Sequence, residues 1–240
     1  MAKIGSGSYD LNKWLHGGYE KDIVSVIYGA PGTGKTNFCV LAAVSAAKKG
    51  KKVVFVDTEG GFSVERVRQI VGDKLDHREV LKNIFLLKPV NFKEQKEAFK
   101  ELLRHLKGHV DLVVVDGMTI LYRLDFADAR EIDEGNGEDG KEGSKEMQKI
   151  NSELARQIKT LAEIARKREI PVIVTSQVYS WDNEIRMVGG DILKYWGKCL
   201  IELENDKGTR RALLRKHRSL PEKSLVFQIY DGGIRRRGWI

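Results

Sequence analysis

Residues 29–36 read Gly-Ala-Pro-Gly-Thr-Gly-Lys-Thr, which fits the pattern G-x-x-x-x-G-K-[ST] between an apolar run and a stretch of helical periodicity. In that context, backbone N–H groups and the positive end of a helix cradle phosphate oxygens. We expect Lys35 to reach the β and γ phosphates of a nucleotide and the Thr36 hydroxyl to bind Mg²⁺. The pattern therefore predicts that ATP and Mg²⁺ are bound by Gly29, Ala30, Pro31, Gly32, Thr33, Gly34, Lys35, Thr36 and Asn37.

Three polar side chains follow other apolar runs and could complete this chemistry. Asp116 ends one run and would hold Mg²⁺ through water, although an Asp at a strand end often only caps a turn. Hydrolysis also needs a carboxylate that orients or deprotonates the attacking water, and we favour Glu59 over the competing Asp57. Gln177 ends a further run, where it either senses the γ-phosphate or merely caps its strand.

The spacing of apolar residues predicts an α/β fold. Strand patterns at residues 22–29, 51–57, 83–88, 109–116 and 170–177 alternate with helical patterns at 35–49, 64–71, 92–106 and 147–168. Such an alternation is typical of a mostly parallel, twisted sheet with helices on both faces. After Cys199, three runs are typical of antiparallel strands and predict an antiparallel C-terminal extension. With 240 residues, the chain is expected to form one domain.

Composition narrows the classes of function. The chain has 42 Lys and Arg against 34 Asp and Glu, which suits a polyanionic partner. It contains no run of about 18 apolar residues, so we expect no membrane span and a cytoplasmic, nucleoid-associated protein. Cys39 and Cys199 lie in apolar contexts without metal-binding spacing, so both are interpreted as core residues.

Four motifs in this order resemble the RecA/RadA recombinase family, namely GAPGTGKT, FVDTEGGFSVER, LVVVDGMTILYR and VIVTSQV, followed by MVGGDILKYW. The resemblance extends from about residue 6 to residue 231. It implies a RecA-like P-loop ATPase core in which Glu59, Asp116 and Gln177 have the roles given above. It also places Arg66 on or beside the adenine of ATP.

The same resemblance implies that two loops contact DNA, at about residues 124–147 and 178–190. In the second loop, Tyr179, Trp181 and Arg186 form a set of aromatic and cationic side chains that suits single strands. The first loop carries nine acidic residues against three basic ones. We expect it to be flexible and to repel phosphate unless a partner or Mg²⁺ intervenes, which argues against ordinary strand exchange.

Assembly elements of full recombinases are expected to be missing. About 28 residues precede the P-loop, so neither a helix-hairpin-helix domain nor the adjacent Phe-x-x-Ala polymerisation element is expected there. The sequence Phe-Ala-Asp-Ala occurs instead at residues 126–129, as either a partner contact or a chance match.

The C-terminal part is strongly basic. Where relatives carry an acidic cap over a neighbouring subunit's nucleotide, this chain reads RKHRSLPE at 215–222. Lys216, His217 and Arg218 could therefore reach a γ-phosphate across a subunit interface, or they could bind DNA. Between residues 207 and 237, ten Lys or Arg stand against two acidic residues, which favours contact with a phosphate backbone over a merely solvated face. The predicted DNA-binding residues here also include Arg235, Arg236 and Arg237.

These features resemble the short archaeal paralogues within the family. This resemblance implies a weak, Mg²⁺-dependent ATPase that binds single-stranded or branched DNA with little sequence preference. Its implied partners are the main RadA-type recombinase and a Holliday-junction resolvase, and it could form a homo-oligomer through the nucleotide interface. The alternatives are a strand-exchange recombinase in its own right and a nucleotide-switched regulator that binds proteins rather than DNA.

Overall fold

The chain folds around a large sheet, and the strands and helices alternate broadly as predicted. A computed structural model describes residues 3–73, 75–135, 141–181 and 184–238. In chain order, the elements are β1 (Lys3–Ile4), α1 (Tyr9–Trp14), β2 (Tyr19–Glu20), β3 (Val24–Gly29), α2 (Lys35–Ala47), β4 (Val53–Asp57), α3 (Val64–Val71), α4 (His77–Leu81), β5 (Ile84–Leu87), α5 (Phe92–His105), β6 (Leu112–Asp116), α6 (Ile120–Gly135), α7 (Lys141–Arg168), β7 (Val172–Ser176), β8 (Val178–Trp181), β9 (Glu184–Met187), α8 (Gly190–Trp196), β10 (Gly197–Asp206), β11 (Thr209–His217), β12 (Lys223–Tyr230) and β13 (Gly233–Arg236).

Within the described residues, the main sheet has nine strands in the order β13-β12-β11-β10-β3-β7-β6-β4-β5. Neighbouring strands from β10 to β5 run parallel. Every residue of β4, β6 and β7 is buried, because helices cover both faces of this part of the sheet. The arrangement confirms the predicted α/β fold.

Two apolar cores lie on opposite faces of the sheet. One includes residues of α1 to α4, with Phe38 and Phe55 at its centre, and the other includes residues of α5 to α8, with Leu102 and Leu154. Cys39 and Cys199 are both buried in the first core, as predicted. None of the described helices has the length and apolar character that crossing a bilayer requires.

The C-terminal strands form the predicted antiparallel extension. Strand β10 is parallel to β3 and antiparallel to β11, and β11, β12 and β13 continue the antiparallel pairing. Phe227 of β12 packs edge-on against Phe38 of α2, with 5.3 Å between the ring centroids. Helix α2 therefore ties the parallel part of the sheet to the extension.

The segment predicted to be a flexible acidic loop, residues 124–147, is largely helical. Helix α6 continues to Gly135 and α7 begins at Lys141, while Glu138 and Asp139 lie outside the described residues. Ala129 of α6 and Ile150 of α7 are buried in the second core. The prediction of a loop was wrong because these few apolar residues are spread among many acidic ones, which hid the helical spacing.

The Phe-Ala-Asp-Ala sequence lies within α6. Phe126 packs against the second core and also contacts the ring of Tyr122, with centroids 5.7 Å apart, while Ala129 is 3% exposed. Phe126 and Ala129 thus support the fold of this chain. A partner contact through the buried Ala129 would require α6 to detach, whereas Phe126 is only partly buried.

The second predicted DNA loop contains regular structure. Strands β8 and β9 pair as an antiparallel hairpin, and α8 follows directly. Residues 182 and 183 lie outside the described residues, as does the side chain of Trp181. Sequence reasoning also missed α1, α4 and the short pair β1–β2, each of which is too short to show a clear period.

Replacing Phe227 with Ala is expected to lower the free energy of unfolding by about 3–5 kcal/mol, because the ring is 1% exposed and its removal leaves a cavity beside α2. Chemical denaturation measures the change. Tyr9→Ala is the matched control, since Tyr9 is 79% exposed and its loss should change stability by less than about 0.5 kcal/mol. A loss at Phe227 as small as that of the control would contradict the packing described.

Candidate functional site

The P-loop connects β3 to α2 at the carboxyl end of the parallel strands. Strand β3 ends at Gly29, and α2 begins at Lys35 with Gly34 as its N-cap, which offers no side-chain cap. The Thr33 hydroxyl closes the loop by donating to the carbonyl of Ala30 at 2.8 Å. The first backbone N–H groups of α2 are therefore left for an anion, as in known phosphate sites.

Two glycines of this loop are required by the close approach of the C-terminal strands. A Cβ atom at Gly29 would lie 2.2 Å from the carbonyl oxygen of Leu203 in β10. Gly34 has a φ of 109°, and its Cβ would lie 3.0 Å from the Ile229 side chain of β12. The loop is thus packed against both parts of the sheet.

Lys35 is held over the loop by the loop's own backbone. Its ammonium donates to the carbonyls of Gly29 at 2.9 Å and Ala30 at 3.0 Å. Burial lowers the pKa of this lysine, while the negative charges of Glu59 and Asp116 oppose the shift. A phosphate group bound in the loop would offer the ammonium the charged partner that two carbonyls lack.

Asp116, at the end of β6, is a buried carboxylate with one unused oxygen. Its Oδ1 accepts a hydrogen bond from the Thr175 hydroxyl at 2.6 Å, whereas its buried Oδ2 has no hydrogen-bond partner. Burial raises the pKa of Asp116 to about 6, against the opposing influence of the Thr175 and Thr36 hydroxyls. An unsatisfied buried carboxylate oxygen beside Thr36 fits the predicted Mg²⁺ site.

Asp57 and Glu59 differ sharply in environment. The buried carboxylate of Asp57 accepts from the backbone N–H groups of Gly61 and Phe62, each at 3.0 Å, and so shapes the loop after β4. Glu59 stands on that loop and is exposed. The geometry favours Glu59 as the residue able to meet a water molecule and gives Asp57 a positioning role.

Gln177 links the nucleotide end of the sheet to the β8–β9 hairpin. Its side-chain amide donates to Glu59 Oε2 at 3.2 Å, and its carbonyl accepts from the N–H of Val188 at 2.9 Å. The Ser176 hydroxyl also donates to the Val188 carbonyl at 2.9 Å. A shift of Gln177 would therefore act directly on both ends of the hairpin.

Three residues that sequence reasoning missed position the turn after Asp116. The Thr58 hydroxyl bonds to both the carbonyl and the N–H of Gly117, at 2.7 and 2.9 Å. The buried amide of Gln95 donates to the Met118 carbonyl at 3.2 Å, and the Thr175 carbonyl accepts from the Met118 N–H at 2.8 Å. A polar residue within an apolar run could have indicated such a role. Only Thr175, within VIVTSQ, shows this pattern clearly.

Arg66 lies beside the first turn of α2. Its Nε donates to Asn37 Oδ1 at 2.9 Å, and its terminal nitrogens donate to backbone carbonyls in the turn between β12 and β13. The position next to Asn37 is compatible with the adenine contact that the family resemblance implies, which stays a prediction.

A groove of about 750 Å³ separates α6 from the β8–β9 hairpin. The described residues that line it are Tyr122, Arg123, Phe126, Ala127, Arg130, Val178, Tyr179, Arg186, Val188 and Gly189. Aromatic and cationic side chains predominate, and none of these residues is acidic. The acidic side chains of the segment are therefore absent from the described lining of this groove, where α6 contributes Arg123 and Arg130, and the expected repulsion of phosphate stays a prediction.

Lys216, His217 and Arg218 are engaged within the chain. Lys216 donates to the carbonyls of Lys194 and Gly197 at 2.8 and 3.0 Å, at the carboxyl end of α8. The His217 side chain is 2% exposed, and burial holds its pKa below the usual value. Arg218 forms ion pairs with Glu20 and Asp22. A role on DNA or at a subunit interface, which stays a prediction, would require these contacts to be exchanged.

This element also lies at the opposite end of the sheet from the P-loop. Gly197, which Lys216 contacts, pairs with Val24 at the start of β3, while the P-loop follows Gly29 at its end. Six strand residues separate the two levels by about 17 Å. The element could therefore approach a nucleotide only in a second, stacked copy of the chain.

Arg235, Arg236 and Arg237 are all exposed at the edge of the sheet. The Arg235 guanidinium lies over the ring of Tyr230, 4.8 Å from its centroid. Arg237 donates to the Thr209 hydroxyl at 3.1 Å, and the Arg236 backbone N–H donates to Asp10. Side chains so placed could meet a phosphate backbone, as predicted, although nothing in the fold selects a base.

Metal binding at this site would depend on the nucleotide. Among the described residues, no cluster of three His, Cys, Asp or Glu side chains could hold a metal ion by itself. Mg²⁺ typically takes one or two protein ligands together with phosphate oxygens and water. Thr36 and Asp116 match that smaller set.

The chain is similar to known proteins along nearly its whole length. The model of the Rad51 family matches residues 1–237. The DNA repair and recombination protein RadB of Methanobrevibacter smithii is 40% identical over 235 residues, covering 93% of this chain and 92% of the relative. RadB of Methanococcus maripaludis strain C7 is 37% identical over 225 residues, covering 93% and 96%. A crystal structure of the RadB recombinase has 33% identity and a TM-score of 0.78, and the match covers 98% of this chain and 100% of that one.

Replacing Asp116 with Asn is expected to stabilise the ligand-free protein at about pH 7.5. The folded-state pKa of about 6 exceeds the ordinary 3.8, a difference equivalent to about 3 kcal/mol. The folded state thus binds the proton more tightly, so the free energy of unfolding falls as pH rises from about 4 to 6 and stays at the lower value above about 6. Thermal denaturation should show a Tm several degrees higher for the variant at about pH 7.5 and a small difference at about pH 4.

Asp128→Asn, on the exposed side of α6, is the matched control and should leave the Tm nearly unchanged. A lower Tm for Asp116→Asn at about pH 7.5 would contradict the account of an uncompensated buried charge.

Proposed function

The chain belongs to the Rad51 family, and we propose that it is an ATP-dependent DNA-binding accessory protein of homologous recombination and DNA repair. In this proposal it assists a main RadA-type recombinase and Holliday-junction processing and does not itself perform strand exchange. The hydrogen bond between Gln177 and Glu59 carries the proposal. It joins the nucleotide end of the sheet to the β8–β9 hairpin, which forms one side of the groove next to α6.

ATP binding follows from the P-loop and its surroundings. Lys35 would exchange its two backbone carbonyls for the β and γ phosphates, and the N–H groups of the first turn of α2 would bind phosphate oxygens. Thr36 and the free Oδ2 of Asp116 would hold Mg²⁺. When bound, Mg²⁺ neutralises the negative charge that develops on the phosphates.

Hydrolysis is assigned to Glu59. The carboxylate is exposed on a loop that Asp57 fixes through two backbone hydrogen bonds, so it can accept a proton from a water molecule. The Gln177 side-chain amide donates to Glu59 Oε2 and would orient the carboxylate or the water. We expect slow turnover by the isolated chain, because Lys216, His217 and Arg218 lie at the far end of the sheet.

DNA binding is assigned first to the groove between α6 and the β8–β9 hairpin. Tyr122, Phe126 and Tyr179 offer stacking surfaces, while Arg123 and Arg186 offer phosphate contacts, a combination that suits single strands. Because Gln177 bonds to Val188 at the base of the hairpin, occupancy of the γ-phosphate position would alter the groove. ATP would then act as a switch on DNA binding.

Partners and place in the cell follow from this role. The RadB relatives are named for DNA repair and recombination, which supports DNA as the primary partner. We propose that the protein acts on chromosomal DNA in the cytoplasm, next to the main recombinase and a Holliday-junction resolvase. Self-assembly through the nucleotide face remains part of the proposal, because only a second copy could bring Lys216 to the phosphates.

Replacing Tyr179 with Ala is expected to weaken binding of single-stranded DNA about tenfold, which corresponds to the loss of one stacked base. Fluorescence anisotropy of labelled oligo(dT), with and without Mg²⁺-ATP, measures the affinity. Tyr9→Ala is the matched control, because Tyr9 is exposed on α1 and belongs to neither proposed site. If Tyr179→Ala, Tyr9→Ala and the unmodified protein bind oligo(dT) with equal affinity, single-stranded DNA does not bind in the groove.

The same titration tests the function as a whole. We expect tighter binding with ATP than without it, and absence of any DNA affinity would contradict the proposal. Formation of joint molecules by the purified protein alone would replace the accessory role with that of a strand-exchange recombinase.

Replacing Glu59 with Gln is expected to lower ATP turnover by at least about a hundredfold while fluorescent ATP still binds, because the amide cannot accept the proton. Glu65→Gln on α3 serves as the control, since Glu65 is exposed and pairs only with Arg68 among the described contacts. Unchanged turnover in Glu59→Gln would exclude Glu59 as the base.

A further inference from the structure

The turn between β12 and β13 is held by a single side chain from another part of the fold. The two terminal nitrogens of Arg66 donate to the carbonyls of Tyr230 at 3.0 Å, Asp231 at 3.1 Å and Gly233 at 3.4 Å. One of them also donates to Gln69 Oε1 at 3.0 Å. Three carbonyls of one turn thus converge on one guanidinium.

Every donor of that guanidinium is in use. A guanidinium has five N–H donors, and the bond from Nε to Asn37 accounts for the fifth. Its in-plane edge therefore cannot bind a nucleotide unless the turn is released. Its flat faces remain available for stacking.

The same side chain touches the nucleotide site. Asn37 directly follows Thr36 in the first turn of α2, so Arg66 joins the P-loop helix to the turn of a distant hairpin. The inner side of this hairpin also packs there, since Phe227 meets Phe38 and Ile229 approaches Gly34. The β12–β13 hairpin consequently borders the nucleotide site although it lies at the edge of the sheet.

The opposite side of the hairpin carries exposed cations. Tyr230 is 41% exposed, and the Arg235 guanidinium lies against its ring, which restrains the arginine. With the Gln228 amide oriented to satisfy both groups, Arg235 Nε and Nη2 donate to its oxygen at 2.5 and 3.0 Å, a neutral acceptor that a phosphate oxygen could replace. Arg237 lies nearby and donates a hydrogen bond to the Thr209 hydroxyl. An arginine held on an aromatic ring is ordered before it meets a phosphate, which lowers the entropic cost of that contact.

We propose that Arg66 tethers the β12–β13 hairpin to the nucleotide site, and that the outer face of the hairpin, with Tyr230 and Arg235, is a nucleic-acid phosphate contact ordered by bound nucleotide. The proposal rests on the proposed function and adds a second route from ATP to DNA, separate from Gln177. A base stacked on Arg66 would restrict the guanidinium, which in turn holds the three carbonyls. By linkage, nucleotide and DNA would then raise each other's affinity by the same factor.

Hydrogen exchange measured by mass spectrometry tests the tether. With saturating Mg²⁺-ATP, the unmodified protein should show slower exchange both in P-loop peptides and in peptides covering 225–238. Arg66→Lys retains the charge but has three donors on a flexible stem, so it cannot hold the three carbonyls and Asn37 together. In this variant the hairpin peptides should exchange faster and no longer respond to ATP, while the P-loop peptides remain protected.

Arg68→Lys is the matched control, because Arg68 lies on the same helix, is exposed and pairs with Glu65. It should behave like the unmodified protein. If ATP slows exchange in the P-loop peptides of the unmodified protein but leaves exchange in the hairpin peptides unchanged, the tether is overturned. If the P-loop peptides of Arg66→Lys are no longer protected by ATP, Arg66 acts in nucleotide binding alone, and the tether is again overturned. Absence of P-loop protection in the unmodified protein would contradict the proposed function itself.

Anisotropy titrations with labelled oligo(dT) across salt concentrations test the outer face. Arg235→Gln should weaken binding several-fold in the presence of ATP and reduce the slope of log affinity against log salt by about 0.7, the value for one phosphate contact on a single strand. Arg104→Gln on α5, which is exposed and paired with Glu101, is the control and should change neither quantity. Identical affinity and slope for both variants, in a protein that binds DNA, would overturn the contact.

Discussion

The carboxylate of Asp116 is held at the end of β6 by one hydrogen bond from Thr175, and its second oxygen is buried without a partner. Burial in this position raises the pKa to about 6, so at neutral pH the fold contains a buried negative charge. Lys35 and Thr36 begin α2 beyond β3, which β7 separates from β6, and Glu59 follows the neighbouring strand β4. A cation bound beside this carboxylate would stabilise the folded protein, so under the proposed function ligand binding and stability are coupled.

Two polar connections lead outward from this site. Gln177 bonds to Glu59 and, through its backbone, to Val188 at the base of the β8–β9 hairpin. Arg66 bonds to Asn37 and to the turn between β12 and β13. Each connection ends at a surface that carries aromatic and cationic side chains. Both surfaces are thus joined, by one side chain each, to residues beside the P-loop.

Sequence reasoning worked where local pattern and chemistry coincide. The P-loop, the strand-end carboxylates and the alternation of strands with helices all depend on residues that are close in sequence. It failed at α6 because acidic composition concealed the few buried residues, such as Ala129, that fix the helix. It also could not foresee that Lys216 and Arg218 are occupied, because their partners at Gly197 and Glu20 come from distant parts of the chain.

Energetic coupling between nucleotide and DNA is measured by a reciprocal titration. The affinity for oligo(dT) is measured with and without a non-hydrolysable ATP analogue, and the affinity for the analogue is measured with and without oligo(dT). We expect both affinities to rise by the same factor, about 5-fold to 150-fold. Two affinities that are each independent of the other ligand would contradict it.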